Sequence, residues 1–319
     1  MIETALATRP LAPDWSAVTA EELIAYRDAE NRFRASEAAR AVLGDPDPGA
    51  TIHWQQVALS DRTIPVRVYR PASEPDSAAS RTALPLVLHV HGGGFVGTAV
   101  QCDWANSHLA TRLPALVVSV EHRLLAPDTP LAAAVDDAWD VLQHLTENAE
   151  EWGIDPTRMA VFGESCGALI SALVAIRARD TGLSLRAQVL VNPAVDVTGS
   201  MFDYPSMAEY ADTPTASEPQ LRLFHRFAVP HGTNARVLSP LHADDLSALA
   251  PALVVVPTHD PLADHGRHYA DRLWTAGTTT RLTEYPEAPH AFLTLPGLVE
   301  QAQAARAEIL QALQDALTA

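Results

Sequence analysis

MAVFGESCGALISALVAIRA, from Met159 to Ala178, places a serine between two glycines where a short apolar run changes into a longer one. The first run is continuously apolar, as in a buried strand, and the second is apolar on nearly all sides, as in a buried helix. Ser165 therefore lies at the strand-to-helix turn that a nucleophile elbow requires. Gly163 and Gly167 fit this turn, because side chains there would collide with the neighbouring helix and strand. A serine that only caps the helix is the alternative.

The alternation of strand runs and helical patterns continues on both sides of this stretch. Strands joined by helices in this order give a parallel sheet covered on both faces, so the predicted fold class is α/β with a mostly parallel central sheet. The predicted buried strands are 86–90, 115–120, 159–163, 187–192 and 252–258. The predicted helices are Ala105–Arg112, Leu131–Asn148, Ser165–Arg179, Ala263–Ala276 and Leu298–Leu317.

The N-terminal part and one later segment depart from this alternation. The stretch from Thr19 to Leu43 predicts one or two amphipathic helices opened by a threonine cap. Alternating runs at 52–60 and 64–70 predict an antiparallel hairpin at a sheet edge, followed by a polar surface loop at 71–85. The aromatic and helical segment at about 196–240 is expected to rise above the sheet and to form a lid with the N-terminal helices.

A nucleophilic serine needs a base to take its proton and an acid to orient that base. Asp260 follows the strand run of ALVVVPTHDPLAD, and His290 lies in the Pro-rich loop of RLTEYPEAPHAF, after the last predicted strand. Both positions lie at the carboxyl ends of strands, where open α/β sheets build their sites. Asp264 is a competing acid, although it is expected inside the following helix.

A metal site is the alternative interpretation of the same region. His259, His265 and His268 lie close to Asp260 in the sequence, and His265 and His268 share a helical face. No glutamate-bearing zinc motif accompanies them, so we expect no metal.

The stretch HVHGGGFVG, from His89 to Gly97, ends a predicted strand with three consecutive glycines. Backbone N–H groups can point at a ligand where no side chain intervenes, so this loop is a candidate oxyanion hole. A flexible turn and a phosphate loop are the alternatives. The spacing matches neither phosphate-binding glycine motif, and an acidic chain binds phosphate poorly.

The composition excludes several classes of partner. The 319 residues carry a formal net charge of −17, and all 22 basic residues are arginine. Such a chain repels nucleic acid and anionic membrane surfaces, so neither is expected as a partner. Two cysteines are too few for a disulfide framework, and the N-terminal stretch lacks the pattern of a signal peptide. A cytoplasmic location is therefore expected.

Four motifs in this order resemble the hormone-sensitive-lipase-like family of α/β-hydrolases. They are HGGGF, GESCG, DPLAD and HAF, and the likeness extends over about Ile52 to Phe292. The resemblance implies an α/β-hydrolase fold with a helical lid, built from an N-terminal lid segment at 1–45 and a catalytic domain at 46–319 that carries the second lid insertion. It also implies a small-molecule ester substrate, no cofactor, and a homodimer as one oligomeric state.

By that resemblance, Ser165 attacks the ester carbonyl, and His290 acts as general base and then as general acid. Asp260 holds the imidazole tautomer and stabilises the imidazolium. The matching oxyanion donors are the backbone N–H groups of Gly93, Gly94 and Cys166. His91 would brace the loop.

The sequence departs from the family pattern near the elbow. Glu164 replaces the commoner aspartate, and Cys166 replaces alanine beside the nucleophile, where its sulfur adds bulk. His122, in EHRLLAPDTP, stands where tyrosine is common, and an extra leucine precedes Ala126. A local rearrangement of this supporting segment is therefore an open alternative.

The resulting interpretation is a serine carboxylesterase that cleaves small to medium acyl esters through an acyl-enzyme. An amidase, lactonase, deacetylase or acyltransferase with the same triad is the main alternative. A ligand receptor on a hydrolase scaffold and a dehydratase-like activity are disfavoured because the triad is complete. The substrate-pocket candidates are Phe95, Cys102, Trp104, Phe202, Tyr204, Phe224, Phe227 and Phe292.

Overall fold

The apolar runs around Ser165 form the centre of a sheet in the computed structural model, which describes residues 2–72 and 83–318. Within these residues eight strands pair in the order β1-β2-β4-β3-β5-β6-β7-β8. The strands are β1 (Ala50–Ala58), β2 (Thr63–Pro71), β3 (Leu84–Val90), β4 (Leu116–Val120), β5 (Ile154–Glu164), β6 (Ala187–Val191), β7 (Ala252–His259) and β8 (Thr280–Pro289).

The pairing confirms the predicted topology. Strands β3 to β8 run parallel, and β2 pairs antiparallel with both β1 and β4. The predicted hairpin is therefore present, with β1 at the sheet edge. The polar loop predicted at 71–85 lies mostly outside the described residues.

Helices lie on both faces of the sheet. The described helices are α1 (Ile2–Thr8), α2 (Ala20–Arg34), α3 (Arg40–Leu43), α4 (Asp103–Arg112), α5 (Leu131–Glu147), α6 (Ala149–Trp152), α7 (Cys166–Thr181), α8 (Pro205–Glu209), α9 (Glu218–Ala228), α10 (Ala263–Thr275) and α11 (Gln301–Leu317). Helices α4 and α11 share one buried apolar cluster with the sheet, whereas α5, α7 and α10 pack in the clusters on its other face. The alternate side chains of β3 and β4 enter opposite clusters, as the period of a strand requires.

The N-terminal helices attach to the loop that follows β3. Thr19 caps α2 with the reciprocal hydrogen bonds of a capping box to Glu22, as predicted. From the body of this helix, Arg27 Nε donates to the Phe95 carbonyl at 2.7 Å, and Asn31 Nδ2 donates to the Gly97 carbonyl at 2.9 Å. Helix α2 is therefore anchored by side chains to the glycine-rich loop.

The segment after β6 begins with a buried aspartate. Asp196 Oδ1 accepts from the Thr198 N–H at 2.7 Å. Its Oδ2 accepts from the Ser200 and Tyr204 hydroxyls at 2.9 Å and from His242 Nε2 at 3.0 Å. One carboxylate thus joins the two ends of the segment that contains α8 and α9.

None of the helices in the two described ranges combines the length and the apolar character that crossing a bilayer requires.

Candidate active site

The turn between β5 and α7 holds Ser165 in a strained backbone conformation, with φ 54° and ψ −119°. A Cβ added to Gly163 would lie 2.2 Å from the Gly167 carbonyl oxygen, and one added to Gly167 would lie 2.1 Å from the Val90 carbonyl oxygen. Both approaches are far shorter than any real Cβ contact, so only glycine fits at either position. The helix and the strand pack tightly enough to force Ser165 into the turn.

Two further strand ends deliver polar side chains to this turn. Asp260 directly follows β7, and His290 directly follows β8. His290 Nδ1 lies 2.7 Å from Asp260 Oδ2, and His290 Nε2 lies 2.8 Å from Ser165 Oγ. Because an ionised carboxylate only accepts, Nδ1 carries the proton and Nε2 is free to accept from the serine hydroxyl.

The competing acid has other partners. Asp264 lies in the first turn of α10, where its Oδ2 accepts from the Ser206 N–H at 2.9 Å and its Oδ1 pairs with Arg267 at 2.9 Å. His265 also has a partner away from Asp260: its Nδ1 lies 3.4 Å from the backbone nitrogen of Asp196. Within the described part of the chain, the neighbouring histidines do not gather with Asp260 into a metal-binding group.

The glycine-rich loop curls beside the serine. Gly93 has φ 105° and Gly94 has φ 55°, a backbone region that L side chains rarely adopt. The Gly94 carbonyl accepts from the Leu125 N–H at 3.1 Å. Among the residues described, the N–H groups of Gly93, Gly94 and Cys166 have no hydrogen-bond acceptor. These donors are therefore available to a ligand.

Two stacked imidazoles support this loop. His91 and His122 lie 4.3 Å apart between ring centroids, and their planes differ by 17°. Burial lowers the pKa of both rings, so neither carries charge at neutral pH. His91 Nδ1 lies 2.9 Å from the Gly92 carbonyl. His122, which stands where tyrosine is common in the resembled family, therefore packs by stacking its ring on that of His91.

A cavity of about 170 Å³ lies between Ser165, His290 and the glycine-rich loop. Ser165, His290, Gly93, Gly94 and Cys166 all line it. Other parts of its wall come from the N-terminal helices and from the segment that contains α9.

The predicted pocket residues are only partly on this wall. Phe95 and Phe224 line the cavity. The other six candidates do not, and for them the prediction is corrected: Cys102, Trp104, Phe202, Tyr204, Phe227 and Phe292.

Each of the six side chains is engaged in packing. Phe292 is fully buried in the cluster shared with α11, and the Arg306 guanidinium lies over the Trp104 ring. In the same way Arg222 covers Phe202, and the Tyr204 hydroxyl donates to Asp196. Phe227 meets Phe95 edge-on, and the Cys102 sulfur lies 3.7 Å from Glu164 Oε1.

Comparison with known proteins agrees with this geometry. A family model described as the alpha/beta hydrolase fold matches residues 87–294. The chain belongs to the α/β-hydrolase family. It is 38% identical to carboxylesterase NlhH of Mycobacterium tuberculosis over 265 residues, which are 80% of this chain and 79% of that protein.

Two further similarities extend over more of this hydrolase. It is 32% identical to the ethyl acetate hydrolase of Pseudomonas putida over 294 residues, covering 90% of each chain. An ester hydrolase from the metagenome of Lake Arreo, solved with a derivative of bipyridine phosphonate, superposes with a TM-score of 0.84 at 30% identity. That superposition covers 98% of this chain and 95% of the other. This hydrolase is a serine esterase of the carboxylesterase class.

The thiol of Cys166, the residue next to Ser165, is unreactive in this hydrolase. Cys166 is 2% exposed, and burial raises the pKa of its thiol to about 12. A thiol reacts as its thiolate, so Cys166 is a poor nucleophile here.

Several cavity residues of the hydrolase were absent from the predictions. From the N-terminal part, Trp15, Tyr26, Phe33 and the pair Glu30 and Arg34 line the wall, and no local pattern marks them.

Asn192 lines the cavity too, directly after β6. The rule that polar residues at the carboxyl ends of parallel strands build the site could have identified it.

Proposed function

We propose that this esterase cleaves small to medium acyl esters through an acyl-enzyme formed on Ser165, with His290 as base and Asp260 as its orienting acid. The observation that carries the proposal is the unbroken series of hydrogen bonds from Ser165 Oγ through both nitrogens of His290 to Asp260. The same hydrogen bonds, together with the glycine-rich loop, support assignment to the hormone-sensitive-lipase-like branch of the family.

The acylation step follows from the positions of these atoms. His290 Nε2 takes the Ser165 proton as Oγ bonds to the ester carbonyl carbon, and the same proton then goes to the leaving alcohol. Asp260 is fully buried, and its Oδ1 accepts from the Leu262 N–H at 2.8 Å, which fixes the carboxylate. The fixed carboxylate keeps the imidazole in one tautomer and stabilises the imidazolium.

The negative charge that develops on the carbonyl oxygen needs donors of its own. The N–H groups of Gly93, Gly94 and Cys166 border the same cavity as Ser165 and fit this role. Cys166 N–H is also at the start of α7, where the helix dipole favours negative charge.

The size and the walls of the cavity support a compact substrate. Its volume of about 170 Å³ suits a short acyl chain, and one relative is an ethyl acetate hydrolase. Residues 1–45 and the insertion at 196–240 would act as the lid and set the range of esters.

Hydrolysis of p-nitrophenyl esters of graded chain length tests the assignment. We expect Ser165→Ala to lower kcat by at least about 1000-fold without a loss of stability. Ser171→Ala is the matched control, because Ser171 is a buried serine of α7 whose hydroxyl finds no partner within the described residues. Equal rates for Ser165→Ala and the wild type would reject the nucleophile assignment.

A further inference from the structure

Asn192 occupies a central place at the carboxyl end of the sheet. Strand β6, which it follows, lies between β5, which leads to Ser165, and β7, which leads to Asp260. Its N–H donates to the Val255 carbonyl at 2.7 Å. Its φ is 38°, in the left-handed region that asparagine tolerates better than most residues. The backbone therefore fixes where this side chain begins.

The amide of Asn192 is buried against the catalytic histidine. The side chain lines the cavity, the residue is 1% exposed, and Nδ2 lies 3.4 Å from His290 Nε2. The amide oxygen Oδ1 is buried and finds no hydrogen-bond partner among the residues described. A buried acceptor without a partner destabilises the fold, so such atoms call for an explanation.

In the resting site, the Asn192 amide makes no strong hydrogen bond to His290. Neutral His290 has one lone pair on Nε2, and the Ser165 hydroxyl donates to it at 2.8 Å. The longer contact from Asn192 is thus a second, weak donor to an acceptor that is already used. This situation changes once Ser165 is acylated, because its oxygen then carries no proton.

We propose that Asn192 is a positioning residue for the water that hydrolyses the acyl-enzyme, with Oδ1 accepting one hydrogen of that water. The inference rests on the proposed function, since it requires an acyl group on Ser165. A water that donates one hydrogen to His290 Nε2 and the other to Oδ1 satisfies both acceptors. Its remaining lone pairs are then free to face the acyl carbon.

The step balances without any other reactant. The water oxygen bonds to the acyl carbon, and the hydrogen directed at His290 moves to Nε2. The hydrogen held by Asn192 stays on the oxygen and becomes part of the carboxylic acid. As the bond from the carbon to Ser165 Oγ breaks, Nε2 returns its proton to Oγ and the free enzyme is restored.

Water and alcohols differ in what they need from Asn192. An alcohol has a single O–H, which must point at His290 Nε2, so it has no hydrogen to give to Oδ1. Loss of the Asn192 acceptor should therefore slow attack by water more than attack by an alcohol. The partition of the acyl-enzyme between the two nucleophiles measures this difference directly.

The experiment uses p-nitrophenyl acetate with added methanol and measures the initial ratio of methyl acetate to acetate. For Asn192→Leu we expect the ratio to rise about tenfold, the effect of one lost hydrogen bond. Asn192→Asp keeps an oxygen acceptor and suits the positive φ, so its ratio should stay within about threefold of the wild type. Asn106→Leu is the matched control, since Asn106 is also a buried asparagine without side-chain partners in the described part of the chain, but it does not line the cavity.

Thermal unfolding and titration with a phosphonate reagent establish that each variant is folded and how many sites are active. An unchanged ratio in Asn192→Leu would overturn the proposal, because a structural role would slow acylation and both deacylation routes alike. An equal rise in Asn106→Leu would overturn it too. Failure of the proposed function has a different signature: the wild type would then form no acyl adduct on Ser165 in rapid-quench mass spectrometry.

Discussion

The end of the sheet that carries Ser165 and the segments that cover it are held together in different ways. At the sheet end, backbone groups fix the positions: the Ser165 N–H donates to the Val191 carbonyl at 2.9 Å, and Asp260 and His290 directly follow neighbouring strands. The covering segments are attached mainly through side chains, such as Arg27 on the Phe95 carbonyl. Ser165, Asp260 and His290 are therefore positioned by the backbone of the sheet, called here the scaffold, whereas the cover, made of residues 1–45 and 196–240, is attached mainly through side chains.

The largest expected effect comes from adding one methyl group at the elbow. In Gly167→Ala the new Cβ would lie 2.1 Å from the Val90 carbonyl oxygen, and neither the helix nor the strand can move away cheaply. We expect a loss of about 3 kcal/mol or more in stability, and a loss of activity of more than about 100-fold in whatever folds. Urea unfolding and p-nitrophenyl ester assays measure the two effects.

Gly199→Ala is the matched change in the cover. A Cβ there meets nothing within 4 Å among the described residues, and the backbone of this glycine is not in the left-handed region. We expect its stability and activity to stay close to those of the wild type. Similar damage from both substitutions would contradict the contrast between the scaffold and the cover.

This contrast also explains which features of the molecule could be predicted. The strand ends specify where Asp260 and His290 emerge, and the same rule preferred Asp260 to Asp264, which the structure pairs with Arg267. Strand periodicity and helix caps are local patterns, so the scaffold and its elbow could be recognised from the sequence alone. Asn192 lies at such a strand end and was within reach of the same reasoning.

The cavity walls could not be predicted in this way. Phe292 comes two residues after His290, yet its ring turns into the core beside α11. The Glu30 carboxylate accepts hydrogen bonds from Arg9, 21 positions away, and from Arg34. Arg34 also donates to the Gln101 side chain, 67 positions further along the chain. Partners so far apart leave no periodic signal, and which face an aromatic ring takes is decided only by tertiary packing.

An intermediate effect is expected at the carboxylate that ties the cover together. Burial alone would raise the pKa of Asp196, but hydrogen bonds from Thr198, His242 and Tyr204 outweigh it and lower the pKa. A lowered folded-state pKa stabilises the protein above the ordinary carboxyl pKa of about 4, and this contribution is lost as the pH falls below it. Asp196→Asn should therefore cost about 2 kcal/mol at pH 7, the strength of a hydrogen bond to a charged group, and less in acid.

Urea unfolding at pH 7 and pH 3.5 compares the two proteins. The wild type should lose more stability than Asp196→Asn over this interval, because at pH 3.5 the Asp196 carboxyl is largely protonated in the unfolded chain but stays ionised in the folded protein, and asparagine does not titrate. Asp203→Asn is the control from the same segment, where the side chain is exposed and the change should stay within about 0.5 kcal/mol. An equal loss of stability in the wild type and in Asp196→Asn would show that the Asp196 carboxylate does not stabilise this segment.

The smallest effect is expected at Cys166, for which we propose that only the backbone N–H takes part in the site while the buried side chain packs. Because its N–H survives substitution, Cys166→Ala should keep kcat/KM for p-nitrophenyl acetate within about threefold of the wild type.

Burial raises the pKa of this thiol to about 12. A raised folded-state pKa costs stability as the pH rises above the thiol's unfolded value of about 8.5, since the thiolate favours the unfolded chain. At pH 9 this cost is roughly 1 kcal/mol, and the alanine variant should escape it. Urea unfolding at pH 7 and pH 9 measures the difference between the two proteins. A large loss of activity in Cys166→Ala would mean that the sulfur itself takes part in the site, and the proposal that only the backbone N–H of Cys166 contributes would be wrong.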